Sequence, residues 1–365
     1  MFQKAAFSAP LDLNPLIPIL DNAIQQGKCP GAVVVVGTAD GFRRGVLVRG
    51  NKSLAPNTQP MHEDAIFDLA SLTKPMATAM SIMILCDRGL LSLDDPVVTH
   101  LPALAGPGTQ QITIRQCLLH TAGFVPDNPL SDYIGSRQEM IHRILASRPS
   151  NLPGKKFAYS DVGYIVLGEL VAAVSGRRLD DFAQCEIFLP LGMKDTCFLP
   201  PQAWADRFVP TERREGRWML GEVHDPRAFA LGGVAGHAGL FGTAADIERF
   251  ARMILNRGEL DGVRIVRRET IEQMICPQPV GEQGDVRRTP GFDNSSSYSS
   301  PRGAHFSRQS FGHTGWTGTS LWIDPTNDCY VILLTNRVHP DGRGDVKQLR
   351  YDIATAAARC LQIAK

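Results

Sequence analysis

The chain has 365 residues, 43% hydrophobic and 21% charged, a globular balance suited to one large domain or two interlocked ones. Its 38 Lys and Arg against 37 Asp and Glu leave a net charge of +1. No overall field therefore favours nucleic acid or an anionic membrane, and specificity has to come from a local site. The opening segment MFQKAAFSAPLDLNP lacks the apolar core and cleavage site of a secretory leader, and no stretch reaches the roughly 18 apolar residues of a membrane span. The expected location is cytoplasmic, or periplasmic or secreted if a leader precedes this sequence.

Asn14-Pro15 can cap and open a helix that runs to Gly27. Residues 31–37 (GAVVVVG) and 44–49 (RGVLVR) read as two strands around an Ala39-Asp40-Gly41 turn. Strand patterns are then few, and helical periodicity recurs at 71–88, 136–148, 161–175, 178–187, 244–257 and 268–276. Residues 281–310 are rich in Gly, Ser, Arg and Pro and read as a flexible loop or a flap over a substrate. Arg287, Arg288 and Arg302 within it could meet an acidic ligand, but solvated surface is the expectation. Residues 319–324 and 330–335 form a second hairpin about Pro325-Thr326-Asn327-Asp328, and a helix over about 346–364 closes the chain. The fold class is thus α/β of the α+β kind: an antiparallel sheet built from both chain ends and flanked by helices. The sheet domain is expected at 1–75 plus 290–365, a mostly helical domain at 76–289, and a catalytic cleft between them. Eight cysteines without a C-x-x-C pair suggest buried free thiols rather than a zinc site.

Three short segments carry chemistry. In Ser71-Leu72-Thr73-Lys74-Pro75 the proline fits only if a helix starts near Ser71, because the first four helical N–H groups have no intrahelical partner. Ser71 then sits where the helix dipole favours developing negative charge, and Lys74 shares its face one turn on. A desolvated Lys74 would have a lowered pKa and could accept the serine proton. Taken alone, the segment is a helix cap with a solvated lysine. Tyr159-Ser160-Asp161 precedes the 161–175 helix; Tyr159 could shuttle a proton to a leaving group, although alone Asp161 reads as a cap. Gly312-His313-Thr314-Gly315 enters a strand, where small residues let a ligand lie along the edge and a backbone N–H face an oxyanion.

Together and in this order, S-x-x-K, Y-S-D and H-T-G resemble the signature of serine β-lactamases and penicillin-binding proteins. The likeness covers nearly the whole chain. It looks closest to class C β-lactamases and their relatives: D-alanyl-D-alanine peptidases, esterases of that superfamily and exo-acting N-acetylmuramyl-L-alanine amidases. His120-Thr121-Ala122-Gly123-Phe124, YSDVGY from Tyr159 and FGHTGWTGTSLWIDP from Phe311 are similar to that group, and GEVHDPRAFALGGVAGHAGLF from Gly221 most resembles the muramyl-amidase-like branch. The resemblance implies a serine hydrolase that forms an acyl-enzyme on amide or ester bonds, with peptidoglycan-derived substrates among the candidates. Alternatives are a carboxylesterase and a non-catalytic ligand-binding homologue.

Carried over to this sequence, Ser71 is the nucleophile, Lys74 its base and Tyr159 the proton donor. The N–H groups of Ser71 and Trp316 form the oxyanion hole, and Asp161, His313, Thr314 and Gly315 bind substrate. His313 stands where many members have lysine and Asp161 where many have asparagine, so the grip on a β-lactam carboxylate is weakened. In the muramyl-amidase-like reading His224, Asp225 and His237 line the substrate cleft. His120 reads as a packing or capping residue. No ligand spacing supports a metal, and no cofactor is expected. The expected partner is a small or muropeptide-like substrate, and the sequence does not set an oligomeric state.

Overall fold

A computed structural model describes residues 10–363 except residue 283. Residues 1–9, part of the segment examined for a leader, and residue 364 of the closing helix lie outside the described residues. The described strands of the main sheet are β1 (Gly31–Thr38), β2 (Arg44–Ser53), β3 (Gln59–Pro60), β4 (Gln278–Val280), β5 (Val286–Thr289), β6 (Phe292–Ser295), β7 (Phe311–Thr314), β8 (Ser320–Asp324) and β9 (Cys329–Thr335). Their spatial order is β4-β5-β6-β7-β8-β9-β1-β2-β3, every neighbouring pair antiparallel. The two chain ends meet where β1 lies between β9 and β2, with Val35 opposite Ile332 on one flank and Val46 on the other.

Local chemistry sets both hairpins. Asp40 Oδ1 accepts the Thr38 hydroxyl and the Phe42 N–H at the first turn, and Asp324 Oδ1 accepts the Thr326 and Asn327 N–H groups at the second. Burial explains why GAVVVVG is apolar throughout rather than alternating. Val33 and Val35 join the core that includes the helix Ala244–Leu255, while Val34 and Val36 join the core under Ile17–Gln25 and Lys347–Cys360.

The helical periodicities are present with sharper ends. Ser136 and Glu139 form a capping box on Arg137–Leu145, and Ser160 rather than Asp161 caps Asp161–Ser175 by accepting the Gly163 N–H. Asn14 makes no side-chain cap; a 3-10 turn (Asn14–Leu16) leads into the helix Ile17–Gln25. The expected helix at 71–88 is three pieces: a 3-10 turn Ala70–Leu72, a π-turn Lys74–Ala79 and an α-helix Met80–Asp87. Pro75, with no N–H to give, lies in the π-turn, a device frequent at functional sites.

The largest departure is at 281–310. It is not a free loop or flap: β5 and β6 lie in it and join the main sheet. The boundary expected at residue 290 consequently falls inside the sheet. Composition hid these strands because, Phe292 apart, their buried positions are polar: Arg288, Thr289, Asp293 and Asn294. Thiol burial is also uneven. Cys29, Cys117 and Cys329 are buried, Cys276 is exposed and the rest are intermediate. Among the described residues no helix is long and apolar enough to cross a membrane.

Candidate active site

The approach to Ser71 is built with strain. Phe67–Asp68 pairs with Leu240–Gly242, and the next turn places Ala70 at φ +47, a left-handed conformation costing a non-glycine residue about 1–3 kcal/mol. Asp68 Oδ1 holds it by accepting the Ala70 N–H at 2.8 Å, and Thr73 donates its hydroxyl to the Ala70 carbonyl at 2.7 Å. Lys74 is fully buried; its ammonium donates to Ser71 Oγ at 2.9 Å and to the His237 carbonyl at 3.0 Å, and forms an ion pair with Asp161 Oδ1 at 2.7 Å. Burial alone would push this amine down, but the Asp161 carboxylate and the Tyr159 phenol outweigh it and hold the pKa above the ordinary lysine value. The lowered pKa expected from desolvation is therefore reversed, because a carboxylate shares the burial.

Tyr159 brings its phenol within hydrogen-bonding reach of Ser71 and Lys74, with Lys74 Nζ 5.0 Å from its ring centre. Burial raises its pKa, so the phenol is neutral near pH 7. His120 frames it. Its ring stacks on Tyr159 at 4.4 Å and 25°, its Nδ1 accepts the Ser160 N–H at 3.0 Å, and its carbonyl accepts the Ala158 N–H at 3.0 Å. The segment HTAGF thus grips the backbone on both sides of Tyr159, a role beyond the packing expected of it.

The third motif closes the opposite wall. Gly315 must be glycine, since a Cβ there would meet Thr319 Oγ1 at 2.1 Å and the Leu69 carbonyl at 2.6 Å. Thr317 and Thr319 donate to the Asp68 and Leu69 carbonyls, stitching the end of β7 to the Ser71 turn. Ser71, Tyr159, His313, Thr314, Gly315 and Trp316 line one cavity of about 410 Å³. The Trp316 N–H makes no hydrogen bond among the described residues, whereas its carbonyl accepts from Arg337 Nε at 2.6 Å. His313 is 4% exposed, and burial, reinforced by Arg288 and Lys74, holds its pKa well below 6.5. Its Nδ1 lies 2.9 Å from the Thr314 carbonyl, which can only accept, so Nδ1 carries the proton.

Four expected substrate contacts lie elsewhere. Asp161, His224, Asp225 and His237 do not line this cavity. Asp161 pairs with Lys74 on its far side. His224 pairs with Glu212, and its N–H bonds Asp68 Oδ2. His237, 1% exposed, meets Asp225 at 2.9 Å, and Asp225 caps the helix Pro226–Ala230. Burial alone would raise the Asp225 pKa, but His237 and the cap donors hold it well below the carboxylate range. Ligand atoms of Asp161, Asp225 and His237 lie within 4.8 Å of one another. The Lys74 ammonium already supplies the cation they face. Arg288, expected at the solvated surface, is instead buried in the wall of the cavity.

A serine hydroxyl, a buried amine and a phenol meeting beside an antiparallel sheet are what a β-lactamase-like serine hydrolase requires. The chain belongs to the Beta-lactamase family, the match spanning residues 16–355. It is 31% identical to a putative D-alanyl-D-alanine carboxypeptidase of Escherichia coli (strain K12), over 75% of this chain and 69% of that protein. It is 30% identical to an N-acetylmuramyl-L-alanine amidase of Bacillus subtilis (strain 168), over 85% of this chain and 78% of that one. The fold is shared with a penicillin-binding protein homologue from Caulobacter crescentus at a TM-score of 0.77 and 20% identity, covering 97% of this chain and 99% of that one.

Proposed function

We propose that the protein hydrolyses amide or ester bonds of peptidoglycan-derived substrates through an acyl-enzyme on Ser71. The carrying observation is the contact of the wholly buried Lys74 Nζ with Ser71 Oγ at 2.9 Å. Ser71 Oγ attacks the substrate carbonyl carbon while its proton passes to Lys74, which must first be neutral. Asp161, whose buried Oδ1 lies 2.7 Å from Nζ and whose side chain as a whole is 19% exposed, is the outlet through which Lys74 sheds its resting proton. Tyr159 hands a proton to the departing amine or alcohol as the C–N or C–O bond breaks, and Lys74 restores the phenol with the proton it took from Ser71. Water then attacks the acyl carbon and gives a proton to the Tyr159–Lys74 pair, which passes it to Ser71 Oγ as the ester C–O bond breaks and the acid leaves. The Ser71 and Trp316 N–H groups take the oxyanion, a contact worth about 3 kcal/mol per donor in acyl-transfer enzymes.

The names of the two curated relatives point to D-alanyl and muramyl-alanine amide bonds, and this substrate class is proposed here on that likeness. The compartment follows the substrate: the cell wall outside the membrane, or imported fragments within. Intact-mass analysis after incubation with N-acetylmuramyl-dipeptide and with a short nitrophenyl ester tests the proposal. A mass gain localised on Ser71, absent from Ser71→Ala together with all turnover, is the expected result. Undiminished ester hydrolysis by Ser71→Ala refutes the nucleophile. Turnover of the ester without the dipeptide moves the substrate class to a carboxylesterase.

A further inference from the structure

Successive side chains on a strand point to opposite faces of its sheet. On β5 and β6, Arg288 and Asp293 belong to the Ser71 cavity, whereas their neighbours Arg287 and Asn294 line a second hollow of about 490 Å³ on the other face. Arg302 and Arg308, from the connection between β6 and β7, belong to its wall. Arg302 fixes the side independently. Its guanidinium carbon lies 5.9 Å from the ring centre of Trp322, a member of the core under Ile17–Gln25 and Lys347–Cys360.

This hollow gathers positive charge with nothing to match it. Three arginines line it, and no Asp or Glu does. None of the three forms an ion pair among the described residues. Arg287 gives Nη2 to the Pro277 carbonyl at 2.8 Å and leaves Nε and Nη1 unmatched. Arg302 gives Nη2 to the Asn294 and Ser310 carbonyls, its Nε is buried without a partner, and its Nη1 makes no hydrogen bond among the described residues. The Arg308 side chain makes none either. The carboxylates that act on Arg302 are already engaged. Asp293 meets Arg288, Ser296 and Ser299, and Asp324 takes the Ser307 hydroxyl and N–H and the turn at Thr326 and Asn327. Burial lowers the Arg302 pKa more than those two acids raise it, and Arg308 lowers it further.

Guanidiniums gathered in this way repel one another, and an anion among them removes that cost. Three of them offer more donors than the two coplanar oxygens of one carboxylate can use. A phosphate brings three acceptor oxygens and nearly two negative charges. We propose that this hollow is a binding site for a phosphate group, held by Arg287, Arg302 and Arg308 on the face of the sheet opposite Ser71. The proposal stands apart from the hydrolase reading.

The test titrates the full chain with inorganic phosphate by calorimetry at pH 8, with sodium acetate as the carboxylate control and chloride holding the ionic strength constant. Phosphate should bind at least about 10-fold more tightly than acetate and raise the melting temperature with concentration. Arg308→Gln, which removes no hydrogen bond among the described residues, should weaken phosphate about 10-fold, and Arg287→Gln/Arg308→Gln should weaken it further. Melting of both variants without phosphate checks that they fold. Glycerol 3-phosphate, titrated alongside, tells a bound ester from free phosphate by which of the two binds more tightly. Phosphate held no better than acetate overturns the site. So does affinity undiminished in the folded variants. Binding that persists there and competes with nitrophenyl ester hydrolysis places the anion at Ser71 instead.

Discussion

Two buried cations flank Tyr159, and they are partnered in opposite ways. Lys74 gives its donors to Ser71, Asp161 and the His237 carbonyl, and its lone carboxylate contact keeps it charged at rest. Arg288 gives one arm to Asp293 and leaves a two-atom edge unmatched. A fully satisfied cation belongs to the machinery, since every proton it holds already has an address. A half-satisfied one carries a desolvation cost without its full compensation. His224, Asp225 and His237, attractive as cleft residues, lie outside the Ser71 cavity and have partners of their own: His237 meets Asp225, and His224 meets Glu212.

The sharpest way to break this comparison is to remove the satisfied cation. Lys74→Ala should slow acylation by at least about 100-fold, seen as loss of the pre-steady-state burst with a nitrophenyl ester. A near-normal burst ends its role as base. A subtler variant alters only its partner. In Asp161→Asn the charge that favours the ammonium is gone, so the neutral amine becomes more abundant at any given pH. The acid limb of the kcat/KM profile should move to lower pH, and a limb that stays put or climbs removes Asp161 from control of Lys74.

The smallest effect concerns stability. His120 and His313 are both held well below 6.5 by burial first and by Arg288 and Lys74 next. A depressed folded pKa gives stability that is complete above the unfolded value and is lost as pH falls from about 6.5 toward the folded value. Each histidine should contribute a slope approaching about 1.4 kcal/mol per pH unit in that window. Melting temperature should be flat above it and decline below, with a shallower decline in His313→Gln. An identical decline in that variant shows that other groups carry the acid sensitivity.

Much of this was legible in the chain. Ser71 and Lys74 stand one turn apart with Pro75 behind them, and GAVVVVG with its mirror YVILLT announces a sheet buried on both faces. Gly315 and the order of the three motifs located the cavity wall. These signals are local: a period, a turn residue, a spacing within one helical turn. Only the tertiary structure decided how Lys74 is charged, because the His237 carbonyl it meets lies 163 residues away and Asp161 arrives from another helix. It likewise decided that Arg288 is an interior residue. A polar strand has no apolar alternation to betray it, and its burial follows from pairing with Asp293 and from stacking on Phe157 and Tyr159, contacts that exist only once the sheet has closed.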